Sequence, residues 1–385
     1  MFNHSPARHG TFLRCFHLGK HLVERGHEVT LVALNPVKTC SSLLRTSYVD
    51  GVQIIDTLSF KKDHDYLGIA IGATINPFIE LSTRPDVVHG FAVTSGCTAT
   101  PVMFAKFFKK FGLFKGKVLA DIYDWWARPL SAFWFLFTFF EKESFKRSDA
   151  VTVPSNGLRQ RAVAFGARSD MVYCIPNGSN VEFIKPMNKS QARERLQLDN
   201  INNYYLLYIG PTEGTFLFVK ALKYLFQMRK DVKAIFVGNL PDKDKYVIKN
   251  SGFQENIIMT GWQPYEKIPL YCGASDVLVF PMGEGIGEET RSPITFADYM
   301  ASGRPIVSNA VGEVKKILKV TKCGITTSPT DPEDLAKKIN ILLDDSKLCS
   351  FLGNKARRIA ENNFSWQVLA KNLEEIYNSL LKETN

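Results

Sequence analysis

The chain has 385 residues, 45% of them hydrophobic and 22% charged. That length exceeds one ordinary core and predicts two domains, and the composition excludes a disordered or collagen-like chain. The net charge is +10, with +7 on residues 1–185 and +3 on the rest, so the basic excess lies in the N-terminal half and calls for an anionic membrane, a nucleic acid or a phosphorylated ligand.

Seven cysteines (Cys15, Cys40, Cys97, Cys174, Cys272, Cys323 and Cys349) are scattered and never spaced as C-x-x-C. This argues against a disulfide framework or a zinc site and for a reducing, cytoplasmic compartment. The chain does not open on a basic segment followed by an apolar one, so no signal peptide is expected. The longest apolar run, 129–140, is unusually aromatic. It falls short of the roughly 20 residues of a spanning helix.

Apolar runs predict strands at 29–34, 52–55, 87–88, 117–122, 150–153 and 172–175, then at 204–209, 234–237, 257–260, 277–280 and 305–307. Helical patterns separate them, for example at 13–25, 140–146 and 220–227. Alternation of this kind is α/β: a parallel sheet with helices on both faces. The pattern pauses after the turn signal Ile175-Pro176-Asn177-Gly178, where residues 188–203 are polar and strand-poor, which predicts an interdomain link at about 183–203. Only residues 1–4 precede the first loop, so the opening strand is either very short or begins upstream of this start.

The segment 277–307 is the most informative. A strand ends at Pro281, a glycine-rich loop follows, Ser292 offers an N-cap, and Pro293 suits the first helical position. A helix N-terminus at the C-terminal edge of a parallel sheet attracts anions. Asp298 lies five residues further along the same helix. An ordinary capped helix after a flexible loop fits the same pattern equally well.

The run Asp298-Tyr-Met-Ala-Ser-Gly-Arg-Pro-Ile-Val307 resembles the second half of the donor-site signature of the retaining group 1 (family 4) glycosyltransferases. Further pieces follow in order: 18–30 resembles the first helix and second strand, Pro85-Asp-Val-Val-His89 a strand, 148–155 another, and Ile175-Pro-Asn-Gly178 the interdomain turn. Thr260-Gly-Trp262, Ala274-Ser-Asp-Val277 and Phe364-Ser-Trp366 complete the resemblance. It implies a GT-B fold, two Rossmann-like doubly wound domains facing across a cleft. Residues 1–183 would form the acceptor domain, 184–364 the nucleotide-sugar donor domain, and 365–385 a helix returning to the N-terminal domain.

The implied reaction moves a sugar from a nucleoside diphosphate sugar, used as co-substrate, to a hydroxyl acceptor, lipid-linked or polysaccharide, with retention. It implies no cofactor and no metal. By the same resemblance Asp298 holds the ribose hydroxyls, and amides near Ser292, Pro293, Ile294 and Thr295 hold the diphosphate. Gly10, Thr11 and Arg14, in a loop resembling the family's first, approach the sugar and phosphates, as does Arg8; Gly210, Glu289 and Thr290 complete the donor pocket. Asp121 and Asp124 end the strand at 117–122, where relatives contact the sugar, and Trp125 or Trp126 stacks on sugar or lipid or packs in the core. Asp124, Asp298 and Arg291 are the expected catalytic set.

Three departures stand out. Thr290 replaces the first glutamate of the signature, with Glu288 and Glu289 out of register; Pro211 and Glu213 stand where Arg and Lys are usual; and Thr295 stands where a related variant has Lys. Arg291 is the candidate replacement cation. A binding protein without turnover, or an epimerase of the same fold, is the alternative. No nucleic-acid motif accompanies the charge. The stretch 104–117 interleaves Phe with Lys. It reads either as a helix lying on an anionic membrane or as a core helix with a charged outer face. Together with the aromatic run it favours a peripheral place on the inner face of the membrane.

Overall fold

A computed structural model describes residues 1, 10–34, 44–58, 60, 66–125, 134–199, 202–210 and 213–382. Arg8, Trp126, Pro211 and residues 129–133 of the aromatic run lie outside the described residues. The chain forms two compact units, Met1–Asn177 with Thr290–Ser292 and Trp366–Asn385, and Gly178–Glu289 with Pro293–Ser365.

In the first unit the strands are β1 (Thr30–Leu34), β2 (Leu44–Val49), β3 (Val52–Thr57), β4 (Val87–Phe91), β5 (Lys117–Asp121), β6 (Ala150–Val153) and β7 (Val172–Cys174). The helices are α1 (Thr11–Glu24), α2 (Tyr66–Thr83), α3 (Gly96–Lys110), α4 (Trp134–Arg147) and α5 (Asn156–Ala164). Strands β4-β5-β6-β7 are parallel in that order. All four residues of β6 are buried, as in a strand covered on both faces. Strand β1 pairs parallel with β3, and the Met1 backbone pairs with Thr30 and Val32 beside it.

The β2–β3 pair is antiparallel, against the expectation of a wholly parallel domain. Its turn is Asp50-Gly51, at φ 50 and 79. Asp-Gly with both φ values positive is the hairpin turn whose twist matches the flanking strands. Strand β2 is exposed nearly throughout, so it carries no hydrophobic signal and was not predicted.

The second unit holds β8 (Tyr204–Ile209), β9 (Val232–Val237), β10 (Ile257–Gly261), β11 (Val277–Val279), β12 (Ile306–Ser308) and β13 (Ile325–Thr326). Its helices are α6 (Lys189–Arg195), α7 (Thr215–Met228), α8 (Asp242–Lys249), α9 (Ile268–Ala274), α10 (Ile286–Thr290, whose last residue belongs to the first unit), α11 (Ile294–Ala301), α12 (Gly312–Thr321), α13 (Pro332–Asp344) and α14 (Ser346–Ile359). The sheet is parallel throughout, in the order β10-β9-β8-β11-β12-β13. Alternate residues of β8 feed two apolar layers. Tyr205 and Leu207 pack with Phe296 and Tyr299 of α11, whereas Leu206 and Tyr208 pack with Phe218 of α7 and Leu335 of α13. The polar stretch read as a link contains α6, whose Arg193 donates to Ala274 O at 2.9 Å and pairs with Asp276 at 2.5 Å.

Helix α15 (Trp366–Lys382) belongs to the first unit. Trp366 is 1% exposed and stacks on His17 of α1 at 5.6 Å, and Glu374 pairs with Arg25 and His27.

Candidate functional site

In the second unit the strand order reverses between β8 and β11. In open parallel sheets ligands bind beyond the C-terminal ends of the strands at such a reversal. Two loops leave there. After β8, the Gly210 amide donates to Val237 O at 3.0 Å, and the chain turns through Glu213 and Gly214 into α7. After β11 it runs through Pro281, Met282 and Gly283 towards α10 and α11. The loops touch: a Cβ on Gly214 would lie 2.3 Å from the Pro281 carbonyl carbon, so only glycine fits. The Asn309 side chain holds the second loop, accepting from Met282 N at 2.7 Å and donating to Met282 O at 2.9 Å.

The helix beyond that loop starts one residue later than expected. Pro293 is its N-cap, with ψ 131, and α11 begins at Ile294. Ser292 does not cap it; the Ser292 hydroxyl accepts from Asn177 N at 3.2 Å, and its carbonyl from Asn177 Nδ2 at 2.7 Å. Proline has no N–H, so Ile294 and Thr295 supply the first outward-pointing amides of the helix. The loop ahead of them is itself partly helical, as α10, where an open glycine-rich loop was expected. Glu289 is exposed and Arg291 half-buried. Thr290 is 1% exposed and packs on Gly157, where an added Cβ would lie 2.5 Å from its methyl.

Asp298, in the second turn of α11, is 3% exposed. Its Oδ1 accepts from the Ser179 hydroxyl at 2.5 Å and the Tyr265 hydroxyl at 3.2 Å. Tyr265 stacks on Phe183 at 5.6 Å. Burial pushes the Asp298 carboxyl up to about 7, against the opposing pull of the two hydroxyls. Sequence reasoning missed Ser179 and Tyr265, since nothing local marks either as the partner of a carboxylate so far along the chain.

The residues singled out in the first unit divide in two. Gly10, at φ 45, caps α1, and Thr11 opens it. Arg14 and Asp121 were expected to bind phosphate and sugar, but they are 1% and 0% exposed and bind each other. Asp121 Oδ2 accepts from Arg14 Nη2 at 2.9 Å and Nε at 3.3 Å, and from the Thr152 hydroxyl at 2.6 Å. Arg14 Nη1 donates to Asn177 Oδ1 and to Pro176 O, both at 3.1 Å. Each is the other's counter-ion inside the unit. The Thr152 hydrogen is spent on the carboxylate, so its oxygen accepts from His89 Nε2 at 3.1 Å, and His89 Nδ1 accepts from the Tyr377 hydroxyl at 2.7 Å. Burial holds His89 well below the ordinary imidazole range, in keeping with that neutral tautomer.

Asp124 and Trp125 stand nearer to water. Both are half-buried, and Asp124 Oδ1 accepts from Trp125 N at 2.8 Å. The Trp125 ring stacks at 4.3 Å on the guanidinium of Arg161, which pairs with Glu141 at 2.5 Å. Among the described residues no cluster of His, Cys, Asp or Glu is arranged to hold a metal ion, and no helix is long and apolar enough to cross a membrane.

Known proteins share this fold. Sucrose-phosphate synthase from Thermosynechococcus elongatus superposes with a TM-score of 0.75 at 16% identity, covering 97% of this chain and 94% of that one. The Anabaena protein HepE, solved in complex with UDP and glucose, gives 0.74 at 16% identity over 98% of each chain. In sequence, an alpha-D-kanosaminyltransferase of Streptomyces kanamyceticus is 25% identical over 50% of this chain and 49% of its own length. Spore coat protein SA of Bacillus subtilis is 27% identical over 49% and 52%. The match thus spans about half the length of these curated relatives. The family description "Glycosyltransferase Family 4" matches residues 10–183, and "Glycosyl transferases group 1" matches residues 188–359. With both halves matched in chain order on this architecture, the chain belongs to the group 1 glycosyltransferases, family 4, of the GT-B fold.

Proposed function

We propose that this glycosyltransferase moves a sugar from a nucleoside diphosphate sugar to a hydroxyl on a lipid-linked or polysaccharide acceptor, with retention of configuration, in the cytoplasm. The observation that carries the reading is the strand reversal between β8 and β11, with the start of α11 and the buried Asp298 in the elements that follow it. In this reading the Ile294 and Thr295 amides and the dipole of α11 meet the diphosphate and stabilise it as it leaves. Asp298 accepts from the ribose hydroxyls. Arg291, three residues ahead of the helix, supplies the cation that Pro211 and Glu213 do not. Asp124 and Trp125 are assigned to sugar or acceptor contacts.

Thermal unfolding in the presence of UDP, GDP, ADP and their sugars tests this. The matching nucleotide at a hundred times its dissociation constant should add about 2.7 kcal/mol of stability. No stabilisation by any of them would sink the donor site. Release of nucleoside diphosphate on adding an acceptor glycan then reports transfer.

Glu213→Lys is a second check. Glu213 is exposed, immediately ahead of the N-cap of α7. Reversing its charge should tighten nucleoside diphosphate binding, on the order of tenfold after solvent screening. It should also cost about 0.5–1 kcal/mol of stability, because a cation replaces an anion at a helix N-terminus. Weaker binding, measured by titration calorimetry, would show that the carboxylate itself serves the site.

A further inference from the structure

Three neighbouring helices of the first unit leave large aromatic rings in water. Phe104, Phe107 and Phe111, on α3 and the turn after it, are 45–59% exposed, Phe135 and Phe139 on α4 are 60% and 49% exposed, and Phe78 on α2 is 68% exposed. The Phe107 and Phe111 rings lie 4.7 Å apart. Helix α3 joins the other two: Thr100 donates to Ala73 O of α2 at 2.7 Å, and Lys106 to Lys146 O of α4 at 3.4 Å. Exposed rings clustered on packed helices mark an interaction site.

Its border is basic. Residues 96–117 contain five lysines and no Asp or Glu. The acids of α4 are engaged elsewhere, Glu141 with Arg161 and Glu143 with Arg147 and Lys146. Lys109 pairs with Asp149 at 3.0 Å, while Lys106, Lys110 and Lys115 are exposed.

We propose that this face of α2, α3 and α4 docks on an anionic phospholipid bilayer, its rings in the interfacial layer and Lys106, Lys110 and Lys115 on the head-group phosphates. Rings rimmed by exposed lysines, in a stretch (96–117) without Asp or Glu, match that surface and not an uncharged protein groove. The proposal extends the reading of a lipid-linked acceptor, but the docking stands on this face alone.

The test is co-sedimentation of the full chain, without donor, with vesicles of phosphatidylglycerol and phosphatidylcholine in equal parts and with pure phosphatidylcholine vesicles. Wild type should bind the anionic vesicles at low salt and leave them at high salt. Lys106, Lys110 and Lys115 changed together to Gln should weaken binding on the order of a hundredfold, about fivefold per charge. Phe107→Ser with Phe111→Ser should weaken it also at low salt, and neither variant should shift the thermal transition. Wild type that ignores anionic vesicles, or lysine variants that bind unchanged, would overturn the proposal. So would a dimer in solution that dissolves on the Phe→Ser changes, since the face would then cover a second copy. Nucleotide binding is read separately by thermal shift, so failure of docking leaves the donor site standing.

Discussion

Asp298→Ala is expected to lower the affinity for the sugar nucleotide on the order of a hundredfold while the chain stays folded. Hydrogen bonds to a charged group are worth about 1.5–3 kcal/mol each, and this carboxylate is assigned two ribose hydroxyls. The loss in the apo protein is smaller. Removing a desolvated carboxyl relieves its burial, and this offsets part of the cost of leaving the Ser179 and Tyr265 hydroxyls without their acceptor. Calorimetry with the matching sugar nucleotide checks the affinity, and wild-type affinity in the Ala variant would move the ribose elsewhere.

The same residue predicts a pH dependence with two opposite signs. With its carboxyl pushed up to about 7, Asp298 is largely protonated below that pH and a carboxylate above it. Affinity should therefore rise on the order of tenfold between about pH 6 and pH 8. The diphosphate of a sugar nucleotide carries no proton in that range, so the rise would belong to the protein. Stability without ligand should run the other way. The native state holds a proton that the unfolded chain, titrating near about 4, releases, so this contribution is complete below about pH 4 and is lost as pH rises through about 7. Thermal shifts with and without donor should diverge as pH increases. Asp298→Asn should flatten both trends, and a donor affinity that falls with rising pH would contradict the assignment. Ser179→Ala should move the midpoint of both curves to higher pH, since that hydroxyl favours the charged form.

How much of this was legible in the sequence depends on how far each residue's partners lie along the chain. Strands β6 and β8 have the predicted ends because an uninterrupted apolar run carries its own boundaries. Strand β2 escaped because it turns its side chains to water. The helix α11 was placed within one residue from its proline, but the capping role given to Ser292 failed because Asn177, 115 positions away, takes its hydroxyl. Asp298 was identified from its run, yet its environment is set by Ser179, 119 positions away, and by Tyr265. Asp121 was rightly placed at the end of a strand; what the sequence did not carry was the guanidinium 107 positions away that meets it there. Local patterns fix elements, and long-range contacts decide what a polar side chain at their ends can do.

That distinction makes Asp121→Ala the sharpest structural test. The variant should lose about 3–5 kcal/mol of stability, because it strands the Arg14 guanidinium, 1% exposed, without a counter-ion in the interior. The cost spreads along the chain of hydrogen bonds: the Thr152 hydroxyl loses its acceptor, and with it the reason for His89 to donate through Nε2. Joint replacement by apolar groups of similar size, Arg14→Met with Asp121→Leu, should recover most of the loss, since neither charge is then left alone. Denaturant midpoints of the two variants and of Asp124→Ala separate the roles. Asp124 is half-buried and assigned to the sugar, so its removal should slow transfer and leave the midpoint within about 0.5 kcal/mol of wild type. If Asp121→Ala instead kept its midpoint and lost transfer, the buried pair would not be a structural strut, and Asp121 would belong to the sugar contacts.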